Sequence, residues 1–318
     1  MLSITGFWRD IARRAGGFIS PAEVLRLVSP VKALSSVLAY VSRTSEAGFV
    51  PDDLERRDPE FIRWVMDMSR WLGEHYFRLR FEGLEHIPGD GPALMVGNHN
   101  GGIMPMDAFF TVLGVWDRFG PGRVVHPLVH DLIAHDPLAH RLAVRGGALR
   151  ASQGGGEKAL RAGHLALVYP GADLETYRPF WQRHRVELAG RQGFVKLAIR
   201  EGAPVVPVVS VGTHEQLIVL ARGDGLAKLL RTEKWLRTRV VPIVVCVPWG
   251  LTIGLLPYVP LPAQTTIAYG APIRWPGLRP ADADDPAVLT RCYAEVVGAM
   301  QALLDRLSAG RRPWFGKP

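Results

Sequence analysis

The run Ala93-Leu94-Met95-Val96 stops at Gly97-Asn98-His99, a glycine pair follows at Gly101 and Gly102, and a helix-like segment starts at Pro105. Four apolar residues running into a glycine-bearing loop read as a buried strand, and a proline is tolerated where a first-turn N–H has no partner anyway. This strand, loop and helix start belong to an open α/β sheet, in which chemistry gathers beyond the carboxyl ends of the strands. His99 lies at such an end, and Asp107 is the only carboxylate between Asp90 and Asp117. The two form a candidate general base and its orienting partner. A first-turn aspartate also serves the helix dipole, and a strand-end histidine also serves as an ordinary hydrogen-bonding group, so the residues alone leave both roles open.

The pattern recurs along the chain. Arg78 to Phe81, Arg123 to Val129, Leu165 to Tyr169, Ala203 to Val211, Val241 to Val247 and Thr265 to Tyr269 read as strands. Asp58-Pro59 and Asp285-Pro286 each place a capping aspartate before an N1 proline and open helices with apolar stripes, Phe61 to Tyr76 and Leu289 to Leu307. These features predict an α/β fold with a mixed, largely parallel sheet flanked by helices over residues 57–312. An N-terminal extension of amphipathic helices precedes it over residues 1–56. The arginines scattered through the first twenty residues leave no sustained apolar region, which excludes a secretory signal and places the protein on the cytoplasmic side.

A net charge of +8 implies attraction to an anionic surface, either nucleic acid or phospholipid headgroups. Nucleic acid is disfavoured because the basic residues Lys228, Arg231, Lys234, Arg237 and Arg239 adjoin uncharged apolar sequence rather than lying among aromatic stacking positions on a sheet. From Arg239 to Arg274 the chain carries no charge at all, but its five prolines from Pro242 to Pro262 break any spanning helix. A strand and an apolar loop bearing Trp249 and Tyr258 are expected there, either touching a membrane surface or buried beneath the N-terminal helices. His126, His130, His135 and His140 match no metal-ligand spacing, and Cys246 and Cys292 read as buried free thiols, so no metal is expected.

Gly97-Asn98-His99 with the following Asp107 resembles the His/Asp motif of the glycerolipid acyltransferase family, which includes lysophospholipid and glycerol-phosphate acyltransferases. Three further blocks fall in that family's order: Arg145-Gly146, then Tyr169-Pro170-Gly171 with Asp173 and Arg178 behind it, then the strand ending at Val211. The third block departs from the usual Phe-Pro-Glu-Gly, with Gly171 where the glutamate stands. The His-to-Asp spacing is also longer, with seven intervening residues where the family commonly has four.

The resemblance implies a peripheral membrane enzyme that moves a fatty acyl group from acyl-CoA or acyl carrier protein to a hydroxyl of a lysophospholipid or related glycerolipid. No bound cofactor is implied. His99 would act as base with Asp107 behind it. Asn98, Gly101, Gly102, Arg145, Gly146, Tyr169, Gly171, Asp173 and Arg178 would bind substrate, the two arginines through an acceptor phosphate and the glycine loop through an oxyanion. A neutral-lipid acyltransferase and a noncatalytic lipid-binding protein on the same fold are the alternatives. A serine hydrolase is excluded because no Gly-x-Ser-x-Gly occurs.

Overall fold

The computed structural model describes residues 53–130, 137–236, 238–254 and 256–317, so the helices expected over the first fifty residues lie outside the described part, as does His135. Its strands are β1 (Arg80–Glu82), β2 (Ala93–Gly97), β3 (Val125–Val129), β4 (Leu149–Arg150), β5 (Leu165–Val168), β6 (Val205–Val211), β7 (Ile218–Ala221), β8 (Ile243–Cys246), β9 (Gly250–Ile253) and β10 (Thr266–Tyr269). The described helices are α1 (Pro59–Leu72), α2 (Met106–Phe119), α3 (Pro137–Arg145), α4 (Gln153–Arg161), α5 (Ala172–Thr176), α6 (Gly193–Arg200), α7 (Asp224–Leu230), α8 (Thr232–Leu236) and α9 (Pro286–Ser308).

Seven strands form one sheet in the order β1-β10-β6-β2-β5-β3-β4, and β7-β8-β9 form a second, antiparallel one. All neighbours in the large sheet run parallel except β10 against β6. β2 is buried on both faces, which is why it reads as an unbroken apolar run. Leu94 and Val96 face a core built with α4, α6 and α9, while Ala93 and Met95 face one built with α1 and α2. The result is an α/β/α sandwich with β2 at its centre.

The capping aspartates behave as their spacing predicts: Asp58 accepts from the N–H groups of Glu60 and Phe61, and Asp285 from those of Ala287 and Val288. Cys246 and Cys292 are buried free thiols. Two local expectations are corrected. Pro105 stands at the cap of α2 and not in its first turn. The apolar stretch after β8 is not a plain loop, because Gly250–Ile253 pairs back on β8 as a hairpin.

Candidate active site

The loop after β2 is held on three sides. Asn98, fully buried, extends the β2–β6 ladder with its side chain: its Nδ2 donates to Ser210 O at 3.1 Å and its Oδ1 accepts from Ser210 N at 2.7 Å. Asn98 is thus structural, not a substrate contact. Asn100 donates through Nδ2 to Ser210 Oγ at 2.6 Å. Gly101 and Gly102 both have positive φ, 80° and 61°, which lets the chain reverse and bring the start of α2 back under the histidine.

That reversal closes the His/Asp pair despite the long spacing. His99 Nδ1 lies 2.9 Å from Asp107 Oδ2. The same oxygen accepts from Asn100 N at 2.7 Å, and Oδ1 accepts from Ala108 N at 2.8 Å. A carboxylate only accepts, so the imidazole proton sits on Nδ1 and the lone pair on Nε2. Asp107 is fully buried while one fifth of the His99 side chain stays exposed. Burial pulls the imidazole pKa down, but the charge and hydrogen bond of Asp107, aided by Glu175 and opposed by Arg178, leave it raised overall.

Tyr169, just beyond β5, lies against the imidazole with ring centroids 4.8 Å apart, and its hydroxyl donates to Thr111 Oγ1. Gly97 is required for this packing, since a Cβ there would stand 2.3 Å from Tyr169 Cε1. Gly171 is tightly enclosed as well: a Cβ would meet Glu175 and the Glu187 carbonyl.

Glu175 is the residue that sequence reasoning passed over. Fully buried on α5, it accepts from His99 N at 2.8 Å through Oε2 and from Glu187 N at 2.9 Å through Oε1. Burial pushes its carboxyl up to about 7, against the Arg178 charge and these two N–H bonds. Asp173, expected to bind substrate, is engaged elsewhere. It accepts from Arg239 N, Thr238 Oγ1 and Arg191 Nη2, tying α5 to the segments ahead of β8 and α6. The only signal for Glu175 in the sequence was a second acid two residues farther along.

Arg178 requires the largest correction. It is fully buried, and its five N–H groups reach Gln182 O, His99 O, Glu175 O, Asn100 Oδ1 and Arg183 O at 2.6–3.1 Å. A guanidinium has five donors, so none remains for a phosphate. Together Glu175 and Arg178 grip both the N–H and the C=O of His99.

Arg145 and Gly146 do not join the site. Arg145 pairs with Asp58 at 2.7 Å and covers the Phe61 ring, and Gly146 N bonds Leu142 O at the end of α3. The Gly147 carbonyl accepts from His126 Nδ1, beside the start of β3. Val125 pairs with Leu165 and Leu165 with Ala93, so this corner lies level with the first residue of β2. Six residues at about 3.3 Å each separate it from His99, roughly 20 Å along the strand.

The oxyanion expectation narrows in the same way. Gly102 N donates to Thr176 Oγ1 at 3.0 Å, whereas Gly101 N has no acceptor among the described residues. The Gly101 carbonyl accepts from the Tyr258 hydroxyl, and Tyr258 in turn packs against the small sheet. Among the described residues no three His, Cys, Asp or Glu side chains gather as a metal site. A partly exposed imidazole, oriented by a buried carboxylate through Nδ1 and placed at the carboxyl ends of parallel strands, is suited to removing a proton from a hydroxyl through Nε2.

A family model described as diacylglycerol acyltransferase matches residues 50–306. An uncharacterized protein of Mycobacterium tuberculosis is 32% identical over 307 residues, 96% of this chain and 83% of that protein. Human diacylglycerol O-acyltransferase 2 is 27% identical over 168 residues, 49% of this chain and 39% of the human protein. Among solved structures, the 1-acyl-sn-glycerophosphate acyltransferase of Thermotoga maritima is similar with a TM-score of 0.48 at 16% identity, covering 88% of this chain and 99% of that one.

Proposed function

The chain belongs to the diacylglycerol acyltransferase family and is an acyltransferase of glycerolipid type, and from that premise we propose that it transfers a fatty acyl group from a thioester, acyl-CoA or acyl carrier protein, to the hydroxyl of a neutral acylglycerol. The observation that carries the mechanism is the 2.9 Å contact of His99 Nδ1 with buried Asp107, which leaves Nε2 as the proton acceptor. Nε2 removes the acceptor hydroxyl's proton as its oxygen attacks the thioester carbonyl. Asp107 stabilises the imidazolium that forms, and the same proton then goes to the departing thiolate sulfur. Gly101 N is the loop donor in line for the oxyanion.

The choice of a neutral acceptor over a lysophospholipid rests on the arginines. Arg178 has no donor free, and Arg145 lies at the opposite end of the strands. An acceptor phosphate would ordinarily be held by a bidentate guanidinium. The test offers diacylglycerol, monoacylglycerol and lysophosphatidate to the purified protein with one labelled acyl-CoA. Preference for the uncharged acceptors is expected, and preference for lysophosphatidate would overturn the acceptor assignment.

A further inference from the structure

The small sheet β7-β8-β9 is apolar on both faces. Its inner face places Val219, Val244 and Cys246 against Tyr177, Leu217 and Tyr258. The register puts Ile218, Val245 and Leu251 in one row across the opposite face and Ile243 with Ile253 in the next. An antiparallel sheet covered on one side normally shows polar residues on the other. Here Leu251 and Ile253 are 69% and 58% exposed, and at the hairpin turn between β8 and β9 Val247 and Trp249 are exposed too. The helix α7, which follows β7 directly in the chain, ends with exposed Leu229 and Leu230 between Lys228 and Arg231, both exposed and without an acidic partner among the described residues.

We propose that this outer face is the surface on which the protein docks to a lipid layer. The apolar rows enter the acyl region, and Lys228 and Arg231 meet anionic headgroups. The inference rests on the acyl-transfer reading for its biological sense, because an acylglycerol and a fatty acyl chain are dissolved in lipid and not in water. Continuity with the site supports it. Met104 of the catalytic loop packs into the inner-face cluster, Leu217 touches Gly102, and the Tyr258 hydroxyl holds the Gly101 carbonyl. A layer seated on the outer face therefore has the His99 loop rigidly attached to its dock, with Ile103 of that loop 40% exposed.

The test uses the full chain and phosphatidylcholine vesicles with and without phosphatidylglycerol. Leu251→Ser with Ile253→Ser should lower the co-sedimenting fraction by about tenfold or more at an unchanged thermal midpoint, since two aliphatic side chains lose their burial in lipid. Lys228→Glu with Arg231→Glu should weaken binding only where phosphatidylglycerol is present. Three results overturn the proposal: binding of the serine variant equal to wild type, loss of its thermal stability, or conversion of a wild-type dimer to a monomer. Loss of stability would mean that the chain's own residues 1–52 cover the face, and monomerisation that a second copy does. Sedimentation needs no turnover, so a protein that binds vesicles yet transfers no acyl group would refute the enzymatic reading and leave the dock intact.

Discussion

Replacing Arg178 by methionine separates a phosphate-binding role from a bracing one. The side chain is fully buried and supplies all five of its N–H groups to the protein, two of them to His99 O and Asn100 Oδ1 in the catalytic loop. Methionine fills much of the volume but leaves those acceptors unpaired and removes the positive charge facing the Glu175 carboxylate. Each buried acceptor left unpaired typically costs about 1–3 kcal/mol, and more where the lost donor was charged, so a total of about 3–5 kcal/mol is expected. At roughly 2–4 °C per kcal/mol for a chain of this class, the thermal midpoint should fall by about 10 °C. Arg178→Lys, with three donors in place of five, should recover only part of that loss. Thermal unfolding followed by circular dichroism reads the stability, and KM measured with phosphorylated and neutral acceptors reads the binding role. A methionine variant as stable as wild type, with KM raised only for the phosphorylated acceptor, would refute the reasoning.

Asp107→Asn must turn an amide NH2 toward His99 or toward the N–H of Asn100 or Ala108. It should cost about 10²–10⁴-fold in kcat through the wrong imidazole tautomer. In the wild type the raised His99 pKa puts the loss of base on the alkaline side of the usual ~6.5, so kcat should fall as pH drops through that raised value. In the asparagine variant the residual activity should persist to lower pH, and an unmoved acid limb would exclude His99 as the titrating base. Gly97→Ala drives a Cβ into Tyr169 and should destabilise by about 1–3 kcal/mol, with relief when Tyr169→Ala is added; additive losses in urea unfolding would contradict the contact. His126 is held neutral down to about 4, chiefly by burial, while the unfolded chain protonates near 6.5. Its contribution is intact above pH 6.5 and is lost as pH falls toward 4, worth roughly 3 kcal/mol, so His126→Gln should show a flatter stability between pH 7 and pH 4.

Much of the scaffold was legible because its signals are local. A capping aspartate before proline needs only its own helix, and a strand buried on both faces needs only an apolar run, so α1, α9 and β2 follow directly from the residues. The His99 and Asp107 pair was legible despite its unusual spacing, because a single carboxylate lay within reach and two glycines allowed the chain to turn back. Roles set by tertiary placement were not. Asp173 and Glu175 stand two residues apart on a five-residue helix, and only the packed positions of His99 and Glu187 decide which one turns inward. Arg145 follows His99 in a plausible order, but the crossover returns the chain to the start of the strands. The second strand of the hairpin, Gly250–Ile253, escaped for a different reason: four residues opening on a glycine are too few for alternation to set them apart from the apolar sequence around them.

The central claim, that His99 is the base of an acyl transfer, is tested most directly by one comparison. Purified wild-type protein and His99→Ala are given a labelled acyl-CoA and vesicle-borne diacylglycerol, and the rate of ester formation is followed. Wild type should form the acylated product. The alanine variant, with an unchanged thermal midpoint, should be slower by about 10²–10⁴-fold. Turnover by His99→Ala close to that of wild type would contradict the mechanism outright.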